Sequence, residues 1–366
     1  MNAIATELFP AVSGRLRFID GLRGIAAQLI VWHHLAFYGP LSDVARPLTP
    51  FLIDALHHHA RMAVQVFLVI GGFVTAQHVD GLRQVDLRGF LREVGRRYRR
   101  TGGPYLVALV LAVAANALAS HWMDHRSISA APTVGQLLAH ALYLHDVLGY
   151  QALSAGIWYL AVDFQLFMLV LALSGILGYV ATRLSFSREH ATTCTRWVLA
   201  SLAVASLLCF NRDGAYDHWA VYFFGSYFLG MLLAWVLGGT MAPWLLCAYL
   251  AVVVAAITVD WRPRLLVAAL TAVIILLAAH RQMLRSWPRN VCIAYLGRTS
   301  YSLFLVHFPI CLVVNAWFSR LALTPVQAWM AMFAAYAASL LVAEVFYRYV
   351  EAAFQRAGRR GATVCE

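Results

Sequence analysis

The sequence predicts an all-α fold, a polytopic membrane helix bundle of about ten transmembrane helices with cytoplasmic N- and C-termini. Three observations predict it. The 366 residues are 61% hydrophobic and only 12% charged, with a mean hydropathy of +0.69, whereas soluble domains carry about 25% charged residues. Apolar runs approaching the roughly 20 residues needed to cross a bilayer recur about ten times. All 28 basic residues are arginine, and most sit in short loops beside those runs. Such a distribution is a topology signal, so the net charge of +11 does not point to nucleic acid. The lack of lysine excludes a lysine nucleophile or Schiff base. A single integral-membrane domain over 1–366 is expected, with its transmembrane core at about 19–350.

In order, the runs fall near 19–38, 60–79, 104–120, 157–181, 195–210, 218–238, 243–259, 264–280, 293–318 and 326–350. The first contains "IDGLRGIAAQLIVWHH", with Asp20, Arg23, His33 and His34 in apolar surroundings, where a charge costs at least about 2.5 kcal/mol. Eleven residues make about 3.06 helical turns, so Arg23 and His34 share a face roughly 16 Å apart along the axis. His33 points about 100° away. Two readings stay open on spacing alone. Arg23 could snorkel to headgroups while His34 makes an interhelical hydrogen bond, or His34 could move protons. Before the second run, "HHHA" at 57–60 reads as a polar loop end, because consecutive histidines diverge on a helix and no acidic residue follows at i+4. No metal site is expected.

Between the second and third runs lies the basic segment 80–103, "DGLRQVDLRGFLREVGRRYRRTGG". Leu82, Leu87, Phe90, Leu91 and Val94 among arginines suit an amphipathic helix lying at the cytoplasmic surface. Arg92, Arg96, Arg97, Arg99 and Arg100 can anchor topology and contact anionic lipid, or clamp a phosphate-bearing ligand. The third run, like 195–210 and 243–259, is short and calls for tilt or bilayer thinning. The outer stretch 121–156 holds "TVGQLLAHALYLHD", expected as a short helix capping the bundle.

The fourth run opens with "GIWYLAVDFQLF" and carries Asp163, which could orient His34 or form a structural pair with an arginine. The ninth, "LGRTSYSLFLVHFPI", carries Arg298, Ser300, Tyr301, Ser302 and His307. Tyr301 and His307 are six residues apart and take different faces, and interhelical hydrogen bonding accounts for the serines. The six cysteines, Cys194, Cys209, Cys247, Cys292, Cys311 and Cys365, lack CxxC spacing and read as small buried hydrophobes. HExxH, GxSxG and P-loop motifs are absent. No cleavable signal or lipidation signal is expected at either end.

With the N-terminus inside, the cytoplasmic segments hold Arg15, Arg17, the run Arg83 to Arg100, Arg183, Arg188, Arg196, Arg281, Arg285, Arg289, and Arg356 to Arg360. The outer loops hold only Arg46, Arg126, Arg212, Arg262 and Arg320. The positive-inside rule favours this orientation.

These segments, in this order, resemble acyltransferase family 3, polytopic O-acyltransferases that modify bacterial cell-surface glycans and related products. "RFIDGLRGIAAQLIVWHH" resembles its first-helix signature, with Arg23 and His34 at the paired positions. "VQVFLVIGGFV", "FLREVGRRYRRTGGPYL", "WYLAVDFQLF", "SYFLGMLLAW", "LGRTSYSLFLVHFPI" and "YRYVEAAF", with Glu351 in place, resemble later blocks. The likeness runs from about residue 15 to 356. The chain departs from the pattern at Gly71 (usually serine), Asp163 (glutamate), Phe167 (tyrosine) and Ala353 (proline). Its arginine-to-proline spacing before Pro104 is one residue longer than usual.

The resemblance implies acyl-CoA, most often acetyl-CoA, as co-substrate with no permanently bound cofactor, and a glycan or lipid-linked saccharide hydroxyl as acceptor. The topology then suggests that the donor's phosphates dock at the cytoplasmic arginines, with Arg23 and some of Arg96, Arg97 and Arg100 as candidates. His34 would act as general base or transient acyl carrier, assisted by Asp163. Trp158 and Tyr301 would line or orient the site, and His307 is a further substrate-side candidate from its spacing alone. The expected location is the bacterial inner membrane, among membrane lipids, with room for a partner protein and no nucleic acid. The rival expectation is a transporter or exporter of a polysaccharide or small solute, although neither inverted repeats nor broken helices stand out.

Overall fold

The computed structural model describes residues 16–82 and 85–363, the last six by backbone alone. Arg15, Arg83, Cys365 and the side chains of Arg359 and Arg360 lie outside the described residues. The described residues form fifteen α-helices joined by short 3₁₀ and π turns. They are α1 Arg17–Phe37, α2 Pro40–Ala45, α3 Pro50–His58, α4 Val64–Asp80, α5 Leu87–Arg97, α6 Gly103–Ala119, α7 Val134–Ala141, α8 Ile157–Arg183, α9 Arg188–Leu208, α10 Ala220–Leu237, α11 Pro243–Val259, α12 Pro263–His280, α13 Val291–Phe318, α14 Pro325–Phe346 and α15 Ala352–Thr363.

All ten expected runs are helical, and eight helical stretches among the described residues are long and apolar enough to cross a membrane. α1 and α11 are the other two. α1 carries Arg17, Asp20 and Arg23. α11 has 17 residues, about 26 Å at 1.5 Å per residue, short of the roughly 30 Å apolar core.

The basic segment forms the amphipathic helix α5, which continues through a π turn at Tyr98–Gly102 into α6, one helical stretch from Leu87 to Ala119. Pro104 would clash with the carbonyl four residues back in a regular α-helix. The wider π turn just before it takes up that misfit and keeps the helix continuous. In the outer stretch, α7 forms where expected, with Thr133 as N-cap accepting from the Gln136 amide at 3.1 Å.

The chain divides into two compact units. One comprises Met1–Leu22, Val64–Val94 and Leu160–Ala294. Its central helix is α10, with 94% of its residues buried. α4 lies directly against it, because Gly72 and Gly230 leave no side chain between the backbones. A Cβ at Gly72 would collide with the Tyr227 carbonyl, and one at Gly230 with the Val69 carbonyl. Small residues permit this approach, and it brings Thr75 and Tyr227 hydroxyls within 2.6 Å. Arg262 is buried yet fully used: it donates to the Leu207 and Ala256 carbonyls and to Asn211, closing the exposed ends of α9 and α11.

The other unit comprises Arg23–Ala63, Gly95–Tyr159 and Tyr295–Glu366. Here α13 is the most buried spanning helix. Trp32 of α1 stacks on Tyr336 of α14 at 5.0 Å, and the Tyr336 hydroxyl donates to Gln28 at 2.8 Å. α14 begins with Pro325 behind a capping box of Thr324 and Gln327.

The cysteine expectation is corrected. Cys311 is buried, but Cys194, Cys209, Cys247 and Cys292 are exposed on the protein surface. Cys194, Cys247 and Cys292 sit on helices and Cys209 just after one, so an apolar neighbourhood in sequence did not mean a protein interior.

Candidate functional site

The site is built on α1 and α13. Their backbones touch at Gly24 and Gly297, where a Cβ on Gly24 would lie 2.7 Å from the Gly297 nitrogen. Ten residues further along each helix stand His34 and His307. Because both helices run from a shared glycine contact towards a shared histidine contact, they are parallel and in equal register. The His34 Nδ1 and His307 Nε2 atoms are 2.6 Å apart. The rings are almost parallel, at 6°, with centroids 4.9 Å apart. A nitrogen separation so much shorter than the centroid separation means that the rings meet edge to edge. Both are buried, at 6% and 0% exposed. His33 turns elsewhere, to the Leu56 carbonyl at 3.0 Å, as its different helix face predicts.

Gly156 borders the pair. It precedes α8 with φ +80°, and a Cβ there would come within 3.3 Å of His34 Cε1 and 3.2 Å of Phe304 Cζ. Phe304 also packs edge-on against Tyr159 at 5.8 Å, and Tyr159 against Trp158 at 6.5 Å. Half-buried Trp158 thus lies in the aromatic layer beside the histidines.

The glycine end of α1 and α13 carries the charge. Arg23 is half-buried and adjoins Gly24. Arg23 and Arg100 both act electrostatically on the buried carboxylate of Glu351. Glu351 accepts from the Ser302 hydroxyl at 2.5 Å and from the Gln355 amide at 2.8 Å. Two π turns meet this cluster: Tyr98–Gly102 holds Arg100, and Tyr347–Glu351 holds Glu351. A π turn unsettles the regular backbone ladder, and the Tyr301 hydroxyl donates to the Thr101 carbonyl at 2.6 Å. Tyr301 therefore ties α13 to the arginine turn. Arg97 acts electrostatically on Arg100, and Arg96 is exposed one residue away from Arg97.

Asp163 falls in the unit built around α10. It faces Gly71, where a Cβ would lie 2.6 Å from its Oδ1. Two departures from the resembled pattern, Gly71 and Asp163, are therefore neighbours. The hydrogen-bond partner on His34 Nδ1 is His307. A cavity of about 440 Å³ also lies in the α10 unit, lined by Asp80, Ser174, Arg188, Arg196 and Trp235 among others, and none of the candidate residues borders it.

The sequence singled out Arg23, His34 and Arg100 as candidates but not the contacts around them. The paired ten-residue spacings, Gly24 to His34 and Gly297 to His307, were legible, yet nothing in one sequence says that α1 and α13 are partners. Gly156 and the Ser302–Glu351 bond were likewise invisible without that pairing.

Residues 16–348 match the model of a family described as an acyltransferase domain, nearly the whole chain. No curated protein and no solved structure matches it.

Proposed function

The chain belongs to that acyltransferase family, and we propose that it moves an acyl group, acetyl foremost, from cytoplasmic acyl-CoA to a hydroxyl of a cell-surface or lipid-linked glycan. The observation that carries this reading is the arrangement along α1 and α13, with an arginine and carboxylate cluster at one end and a buried histidine pair ten residues on. The guanidinium groups of Arg23 and Arg100, with Arg96 and Arg97 nearby in sequence, suit the phosphates of the donor. The thioester would reach His34, which serves as general base on the acceptor hydroxyl or as transient acyl carrier. Trp158 would border the acceptor, while Tyr301 holds the arginine turn.

The multi-pass chain would work in a bacterial inner membrane, among lipids and with the saccharide acceptor or a partner protein delivering it. Substrate movement without covalent change, the other reading of the sequence, finds no support in the family match. The test is mass spectrometry of surface glycans from cells with the gene, without it, and with His34→Ala. One acyl mass is expected only with the intact gene. Equal glycan masses in all three would sink the proposal.

A further inference from the structure

We infer that His307 is the positioning residue for His34, fixing its tautomer so that Nε2 presents a lone pair to the substrate. This rests on the reading of His34 as the reacting imidazole. Proton assignment follows from the acceptors. His307 Nδ1 lies 3.0 Å from the Leu303 carbonyl, which can only accept, so Nδ1 carries the hydrogen. In a neutral ring Nε2 then holds a lone pair. That lone pair faces His34 Nδ1 at 2.6 Å. Two lone pairs cannot share so short a contact, so His34 Nδ1 carries the bridging hydrogen. Nε2 of His34 is left as the free base.

The chain Leu303 carbonyl, His307, His34 fixes the tautomer and orientation of the imidazole as the carboxylate of a hydrolase triad does, without supplying a countercharge. A neutral partner suits this depth, because a buried carboxylate would need its own countercharge. The glycine contact ten residues back sets the two helices in equal register, so the bond is imposed by the backbone and not by a flexible side chain.

In the transfer, the acceptor oxygen forms a bond to the thioester carbonyl carbon while its proton passes to His34 Nε2. The imidazolium keeps its Nδ1 hydrogen bond to His307. Collapse breaks the carbon–sulfur bond, and His34 returns the proton to the departing thiolate. Atoms and charge balance with no further reactant.

The test uses full-length protein in lipid nanodiscs, with acetyl-CoA and a glycan acceptor from the parent cells. His307→Phe keeps the ring volume and removes the acceptor, so kcat should fall about 10²- to 10⁴-fold, the range for losing an orienting partner or the general base it serves. KM for acetyl-CoA should not move. His307→Gln can place its amide oxygen near the Nε2 site and should restore much of kcat. Nitrogen-15 histidine spectra of the wild type, with His34 assigned through His34→Gln, should show hydrogen on Nδ1 and none on Nε2. A His34 resonance with hydrogen on Nε2 would overturn the inference, as would wild-type kcat in His307→Phe beside a dead His34→Ala. Full activity in His34→Ala would instead overturn the underlying reading. The wild-type spectra decide the tautomer even where a variant fails to fold.

Discussion

Gly156 shows how far one residue can matter to the histidine pair. Its φ of +80° disfavours an ordinary L side chain, and a Cβ there would press on His34 Cε1 at 3.3 Å. Gly156→Ala should cost about 1–2 kcal/mol from left-handed backbone alone. It should also press on the imidazole, so transfer should fall further than thermal stability, with Gly156→Ala and Ala155→Gly compared side by side. Equal activity at reduced melting temperature would refute a role at the site. A second residue-scale prediction concerns the loop 121–156. His145 is fully buried against His140 at 4.1 Å, and burial pushes its ring down to about 3 from the ordinary 6.5. His140 is lowered too, and its Nε2 accepts from the Leu153 amide, a bond that protonation would break. Both rings bind a proton more readily when unfolded. Their neutral burial therefore stabilises the loop above pH 6.5, and that stability falls as pH drops towards 3. At pH 5 the His145 loss alone is about 2 kcal/mol. Hydrogen exchange of residues 134–154 should accelerate between pH 7.5 and 5 after correction for intrinsic rates, and His145→Phe should blunt the change. A flat corrected profile in the wild type contradicts the prediction.

At the scale of elements, hydropathy made all ten helical runs legible, eight of them long and apolar enough to cross a membrane, since a spanning helix needs about 20 apolar residues whatever its neighbours are. Continuity from α5 to α6 was not legible. "RRTGGP" reads as a break, because glycine and proline usually end helices. The structure spends the misfit in a π turn and uses it to hold Arg100 beside Glu351. Packing on that turn is tight: a Cβ at Gly103 would run into the Phe354 ring, three residues beyond Glu351. Gly103→Val should therefore displace the second π turn and raise KM for the proposed acyl-CoA donor. Loss of one charge-assisted contact, about 1.5–3 kcal/mol, corresponds to roughly ten- to hundredfold. Phe354→Ala on the same chain should recover most of the affinity by opening the space. If the double variant binds no better than Gly103→Val, the coupling is absent. Ser302→Ala acts on the same carboxylate from α13. It removes a 2.5 Å hydrogen bond to buried Glu351 and should lower stability by about 1–3 kcal/mol, read by thermal unfolding in detergent. Unchanged unfolding would show that Glu351 finds another donor.

At the scale of the whole molecule, the arginines give direction to what hydropathy leaves symmetric. A bundle of apolar helices has no preferred side, and only the loops distinguish one from the other. Arg183, Arg188, Arg281, Arg285 and Arg289 lie in connections on one side of the expected topology, against Arg212 and Arg262 on the other. The exposed cysteines mark both sides. Cys209 follows α9 at the end away from Arg188, and Cys292 opens α13 three residues after Arg289. The expected orientation, with both termini cytoplasmic, puts Cys209 near the outer surface and Cys292 near the inner one. It would also put the charged end of α1 and α13 on the cytoplasmic side, where the proposed acyl-CoA donor is made, and the histidine end towards the proposed glycan acceptor. Chains retaining only Cys209 or only Cys292, the others changed to serine, should separate with a membrane-impermeant maleimide. Intact spheroplasts should label Cys209 at once and Cys292 only after permeabilisation. The reverse pattern would invert the protein, place the arginines away from the donor pool, and remove the physical basis for carrying an acyl group from inside to outside along α1.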